Sequence, residues 1–174
     1  AQYTLSFRFV QTRMDRMPSR PIIFIASFAA ALSLAAPVLA QTAPDGFTLL
    51  NQRLGIPESD IQFQEENVFQ YDFARRFWFG NAGIGGDARL FVHIADGAAD
   101  AEDLMAALIA EHGYEYDQLE SDGPYRLFRH RYLGSYFAIA RRGHYVYGIE
   151  KSPDAAAVAA SLERISGHLS DDGR

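Results

Sequence analysis

Histidines, arginines and tyrosines are the residues of this chain whose types and spacing could do chemistry. The five histidines are His93, His112, His130, His144 and His168, and no two of them stand at i, i+4 or in an H-E-x-x-H frame. A metal site needs three or four ligands at fixed geometry, so the spacing predicts no metal. The chain has no cysteine, which excludes disulfides, a thiolate nucleophile and any Cys-ligated zinc or iron–sulfur site. The best acid–base pair on paper is Glu115 opposite His130, and no nucleophile motif accompanies it. Gly83 to Ala88 (GIGGDA) fits the form of a dinucleotide fingerprint. That fingerprint must open a helix whose N-terminus holds the phosphate. Here a strand follows, so the segment reads as a hairpin turn, and no cofactor is expected.

Charge is segregated. Nine acids and no Lys or Arg lie between Ala95 and Tyr125, whereas five arginines (Arg126, Arg129, Arg131, Arg141, Arg142) and no acid lie between Gly123 and Ile149. Guanidinium groups pair bidentately with carboxylate and phosphate, so an anionic glycan, a lipid headgroup or an acidic envelope protein is the expected partner. The competing reading is that neighbouring strands neutralise one another. The net charge of −6 argues against a nucleic-acid binder, which needs a positive surface.

These arginines flank a tyrosine-rich hairpin. A turn at Arg142-Gly143 sets Arg141 opposite His144, Ile139 opposite Val146 and Phe137 opposite Gly148. The other face then carries Tyr136, Tyr145 and Tyr147, with Ala138 and Ala140 between them. Tyrosine combines an apolar body, a polar tip and little rotamer entropy to lose. Tyr136, Tyr145, Tyr147, Arg129, Arg131 and Arg142 are therefore the candidate binding residues. The same pattern also describes an ordinary half-exposed sheet face, or one covered by the N-terminal segment.

The elements that must position these residues follow from periodicity. Asp45 to Gly55 has helical spacing with a cap and a stop. Asn67 to Phe79 places aromatics at alternate positions, as a strand does, and Ala88 to Ala95 is a second strand with apolar residues on both faces, hence central. Ala98 to His112 is a helix with Leu104, Met105, Leu108 and Ile109 in one stripe, ended by Gly113. Strands follow at 114–120, 125–132, 135–141 and 144–150. Ser152-Pro153 opens a last helix whose stripe is Val158, Leu162, Ile165 and Leu169. Hairpin connections predict an α+β fold, an antiparallel sheet of about six strands with two or three helices packed on one face.

The front of the chain reads as an export leader. Residues 1–16 form an upstream extension outside the fold. Residues 17–40 are a secretory signal peptide: Met17 to Arg20 is basic, Ile22 to Ala36 is uncharged, and Val38-Leu39-Ala40 ends in small residues at the cleavage site. The run is shorter than the ~20 apolar residues of a span, so no transmembrane segment is expected after cleavage. Residues 41–174 then form one domain with 12 basic and 21 acidic residues, a net −9. The expectation is a periplasmic or secreted binding module acting through the tyrosine face. The alternatives are an envelope hydrolase whose His/carboxylate site assembles only in three dimensions, or an accessory structural protein.

Overall fold

The computed structural model describes residues 45–169. The expected extension, the expected leader with its cleavage site, and the polar tail after Leu169 lie outside the described residues.

The described chain runs α1 (Gly46–Thr48), a π-helical turn (Leu49–Arg53), β1 (Ile61–Gln64), β2 (Phe77–Asn81), β3 (Arg89–Ile94), α2 (Ala98–His112), β4 (Tyr116–Leu119), β5 (Tyr125–His130), β6 (Tyr136–Arg142), β7 (Tyr145–Ser152) and α3 (Ala155–Ser166). One antiparallel sheet takes the order β1-β2-β3-β7-β6-β5-β4. It consists of two meanders joined where β3 meets β7. The α+β class is as expected, with seven strands rather than six. The additional strand, β1, pairs Ile61 with Gly80 and Gln64 with Phe77 at the sheet edge.

The helices cover both faces of the sheet, not one. Along β3, Leu90 and Val92 point one way and Phe91 the other, and all three are buried. Along β7, Tyr145, Tyr147 and Ile149 oppose Val146 in the same manner. Strands that are apolar on both sides cannot leave either side to water. Val158, Leu162 and Ile165 of α3, with Leu49, Leu50 and Leu54, cover the first face. Ala101 and Leu108 of α2, with Val68, cover the second.

The segment expected as a strand from Asn67 becomes one only at Phe77. Before it, Asn67, Phe69, Gln70 and Arg76 have positive φ, which a regular strand does not allow. The aromatic alternation has another origin. Phe69 enters edge-on from the loop, with its ring 5.1 Å from Phe91, 5.5 Å from Phe77 and 5.8 Å from Phe137. Edge-to-face geometry at such distances is the favoured aromatic arrangement.

Two registers differ from expectation. The β6–β7 turn is Gly143-His144, with Gly143 at φ 57°, so Arg142 pairs with Tyr145 and Ile139 with Gly148. That two-residue shift leaves every side chain on its expected face. On β4, Tyr116 rather than Glu115 pairs with His130. The cap of α3 is Asp154, which accepts from the Ala156 N–H at 2.9 Å. Ser152 instead donates its hydroxyl to the Asp154 carbonyl at 2.8 Å.

His112 closes the inner face of α2. Its ring stacks on Phe137 at 4.0 Å, and its Nδ1–H donates to the Leu108 carbonyl at 2.9 Å. Burial holds its pKa below the ordinary histidine range, against the opposing pull of the Leu108 carbonyl and Glu115. Near pH 6.5 the unfolded chain takes up a proton that the folded chain resists. Stability therefore falls as pH drops through that value. The melting temperature is expected to fall between about pH 7 and about pH 5. His112→Phe, which keeps the stack, should flatten that fall in part. Burial lowers the pKa of His93 too, so some pH dependence remains. A Phe variant with the full wild-type pH dependence excludes His112 as its source.

Candidate functional site

The tyrosine face is interior. Tyr145 and Tyr147 are 0% and 2% exposed and lie in the core beneath α3, with Ala138, Ala140 and Ile149. Tyr136 is half-buried against the same core. The expected open platform is corrected to a covered face, because this side of β6 and β7 is as apolar as the other. The arginines do not gather into one patch. Arg129 pairs in the sheet with Tyr136 at one end of β6, and Arg142 stands at the other end. Arg142 donates to the Ser166 carbonyl at 2.5 Å, closing the last turn of α3, where the dipole favours a cation. Arg131 meets Asp117 at 2.9 Å and donates to the Tyr114 carbonyl at 2.8 Å. It thereby ties the α2–β4 connection, which is the cross-strand neutralisation read as the alternative.

The histidines take separate posts. His130 Nδ1 accepts from the N–H groups of Tyr132 and Leu133 at 3.2 Å each, organising the turn after β5, and its Nε2 stands 4.0 Å from Glu115. His93 donates through Nδ1 to the Arg76 carbonyl at 3.3 Å and lines a shallow cleft of about 260 Å³ with Asp96 and Asp100. Tyr116, beside His112, has its pKa pushed up to about 12 by burial first and then by Glu150, Glu115 and Tyr71. Its phenol stays neutral near pH 7. Among the described residues no group of three His, Asp or Glu side chains is placed to hold a metal ion.

A different site forms at the end of the sheet where β2 turns into β3. A cleft of about 400 Å³ opens there, lined by Asp60, Gln62, Asn81, Asp87, Arg89 and Lys151. Three stretches distant in sequence supply it: the turn before β1, the glycine-rich β2–β3 hairpin, and the end of β7. Arg89 forms its floor. Its Nε donates to Glu150 at 2.7 Å, and its guanidinium lies 4.5 Å over the Phe79 ring. Glu150, itself buried, thus neutralises the arginine.

Lys151, the only lysine in the chain, reaches this cleft through an irregularity of β7. Ala138 pairs with Ile149 and Tyr136 with Ser152, so Glu150 and Lys151 together oppose the single residue Phe137. That is a β-bulge, a device that re-aims side chains. Lys151 sits at φ 55°, a left-handed conformation that costs an L-residue about 1–2 kcal/mol. In a regular strand it would point towards Tyr147 and Ile149. Here it lines the cleft of Phe79 and Arg89, on the opposite side. No described residue pairs with its ammonium.

No protein family, no curated protein and no solved structure matches the chain.

The burial of the tyrosines has a direct test. Tyr145→Ala with Tyr147→Ala removes two interior rings, at about 3–5 kcal/mol for each large aromatic truncation. That loss is comparable to the entire stability of about 5–15 kcal/mol of an ordinary domain. The double variant is expected to lose its cooperative thermal transition. Retention of the wild-type melting temperature would place the rings at the surface. Arg142→Met should lower stability by about 1–3 kcal/mol, the scale of a charge-assisted hydrogen bond, as read from denaturant midpoints.

Proposed function

We propose that the domain is an exported, non-catalytic binding module of the cell envelope that holds an acidic saccharide in the Lys151 cleft. The reading rests on one observation above the others: the chain's single lysine, set in a bulge with left-handed backbone, lines the cleft with an ammonium that no described residue pairs with. Strained residues persist where the surroundings over-determine them, and they concentrate at ligand sites.

The remaining lining supports the ligand class. A purely anionic ligand would meet Asp60 and Asp87 at close range. A saccharide with one carboxylate suits the cleft better. Its carboxylate takes Lys151, its hydroxyls donate to the two aspartates, and the Gln62 and Asn81 amides serve the remaining polar groups. A volume of about 400 Å³ is in the range of small-molecule sites. The leader expected over residues 17–40 would bring such a domain to envelope glycans, the anionic partner expected from the composition.

Isothermal titration with methyl galacturonoside, which carries a single carboxylate, and with its methyl ester, in which that charge is masked, tests the proposal. The acid should bind about tenfold or more tightly than the ester, the worth of one charge-assisted contact, and more weakly as salt rises. Lys151→Gly should remove the preference while keeping or raising the melting temperature, because glycine accepts the left-handed backbone freely. Equal binding of acid and ester, or an unchanged preference in the glycine variant, would overturn it.

A further inference from the structure

At the opposite end of β2 and β3, where β2 begins and β3 ends, another cleft of about 340 Å³ is lined by Asp45, Phe63, Arg76, Trp78 and Asp96. We infer that it is a binding site for a free α-amino acid with an aromatic or other apolar side chain. The observations behind it are independent of the Lys151 cleft.

The apolar wall is built and fixed. The Trp78 indole sits between Phe47 at 5.8 Å and Phe63 at 4.6 Å. Gly46 packs on it so closely that any Cβ there would collide with the ring, so the indole is held from behind. Phe63, on the edge strand β1, remains 44% exposed. A large aromatic this exposed beside a cleft gains from a ligand that covers it.

The polar side carries both signs of charge. Arg76 sits at φ 61°, held there by two backbone contacts. Its N–H donates to the Glu65 carbonyl at 3.0 Å, and its carbonyl accepts from His93 Nδ1 at 3.3 Å. Its exposed guanidinium pairs with no described residue. Asp45 is occupied, accepting from the Thr48 N–H at 2.6 Å. The Asp96 carboxylate accepts no hydrogen bond from a described residue. Arg76 and Asp96 do not pair with each other.

A ligand with one charge would pair with one of these exposed groups and meet the other as a like charge. A zwitterion satisfies both. Its α-carboxylate meets the Arg76 guanidinium bidentately, its α-ammonium meets Asp96, and its side chain lies on Phe63 and Trp78.

Trp78 is the only tryptophan in the chain, so its fluorescence reports occupancy directly. The full chain would be titrated with L-phenylalanine, with N-acetyl-L-phenylalanine, which lacks the ammonium, and with L-phenylalaninamide, which lacks the carboxylate. L-phenylalanine should give a saturable change, and each blocked form should bind about tenfold or more weakly. Arg76→Gln should weaken phenylalanine and abolish discrimination against the amide. Asp96→Asn, on a different segment, should abolish discrimination against the N-acetyl form, which keeps the test independent of any folding defect at residue 76. Lys151→Gly should leave every one of these affinities unchanged, so failure here and failure of the saccharide reading are separable. The inference falls if no saturable change occurs with phenylalanine, if the blocked forms bind as tightly, or if Lys151→Gly removes the response.

Discussion

The structure depends on one constraint: its central strands have no polar face. Leu90, Phe91 and Val92 are consecutive and all buried, as are Tyr145, Val146 and Tyr147. At about 25 cal/mol per Å² of apolar surface, neither side can be left to water. The chain therefore supplies two covers, α2 with the Phe69 loop and α3 with the first helical turns. With no cysteine, no disulfide staples the described domain. The consequence for function is geometric. A sheet covered on both faces leaves its strand ends open, and the Lys151 cleft and the Trp78 cleft lie at opposite ends of β2 and β3.

Much of this was legible in the sequence. β3 reads as central because its apolar residues fall on both faces, and α2 was placed at its observed bounds from its apolar spacing and its terminal glycine. The hairpin strands β6 and β7 were also legible, even though their turn lies one residue later, because a two-residue slip preserves the faces. The misjudged step was physical. Tyrosine suits an interior as well as a binding surface, and the small Ala138 and Ala140 that suggest a shallow floor equally make room for α3. The residue types on this face therefore fit an open floor and a covered one equally, and only the packing of α3 decides between them.

The loop before β2 was misread for a different reason. Alternating aromatics signal a strand only if all of them belong to one extended segment. Phe69 shares a core with Phe77 and Phe79 but arrives there from a loop with left-handed residues on either side of it. Periodicity records which side chains meet the core. It does not record the backbone route by which they arrive, and Arg76 lies on that unrecorded route.

Lys151 was the least legible residue, since nothing in a sequence announces a bulge occupied by lysine. The fold does explain the bulge itself. Glu150 must face Arg89 on the α2 side, while Ser152, two residues on, must return to the α3 side to meet Asp154. Residues two apart on a regular strand share a face, so an irregular residue between them is required. The fold does not explain why that residue is lysine. A backbone near φ 55° is met at least cost by glycine, and the lysine ammonium forms no hydrogen bond or ion pair with a described residue that would offset the difference. Stability therefore accounts for the conformation at position 151 and not for the charge placed there, and it is this charge that the proposed saccharide reading uses.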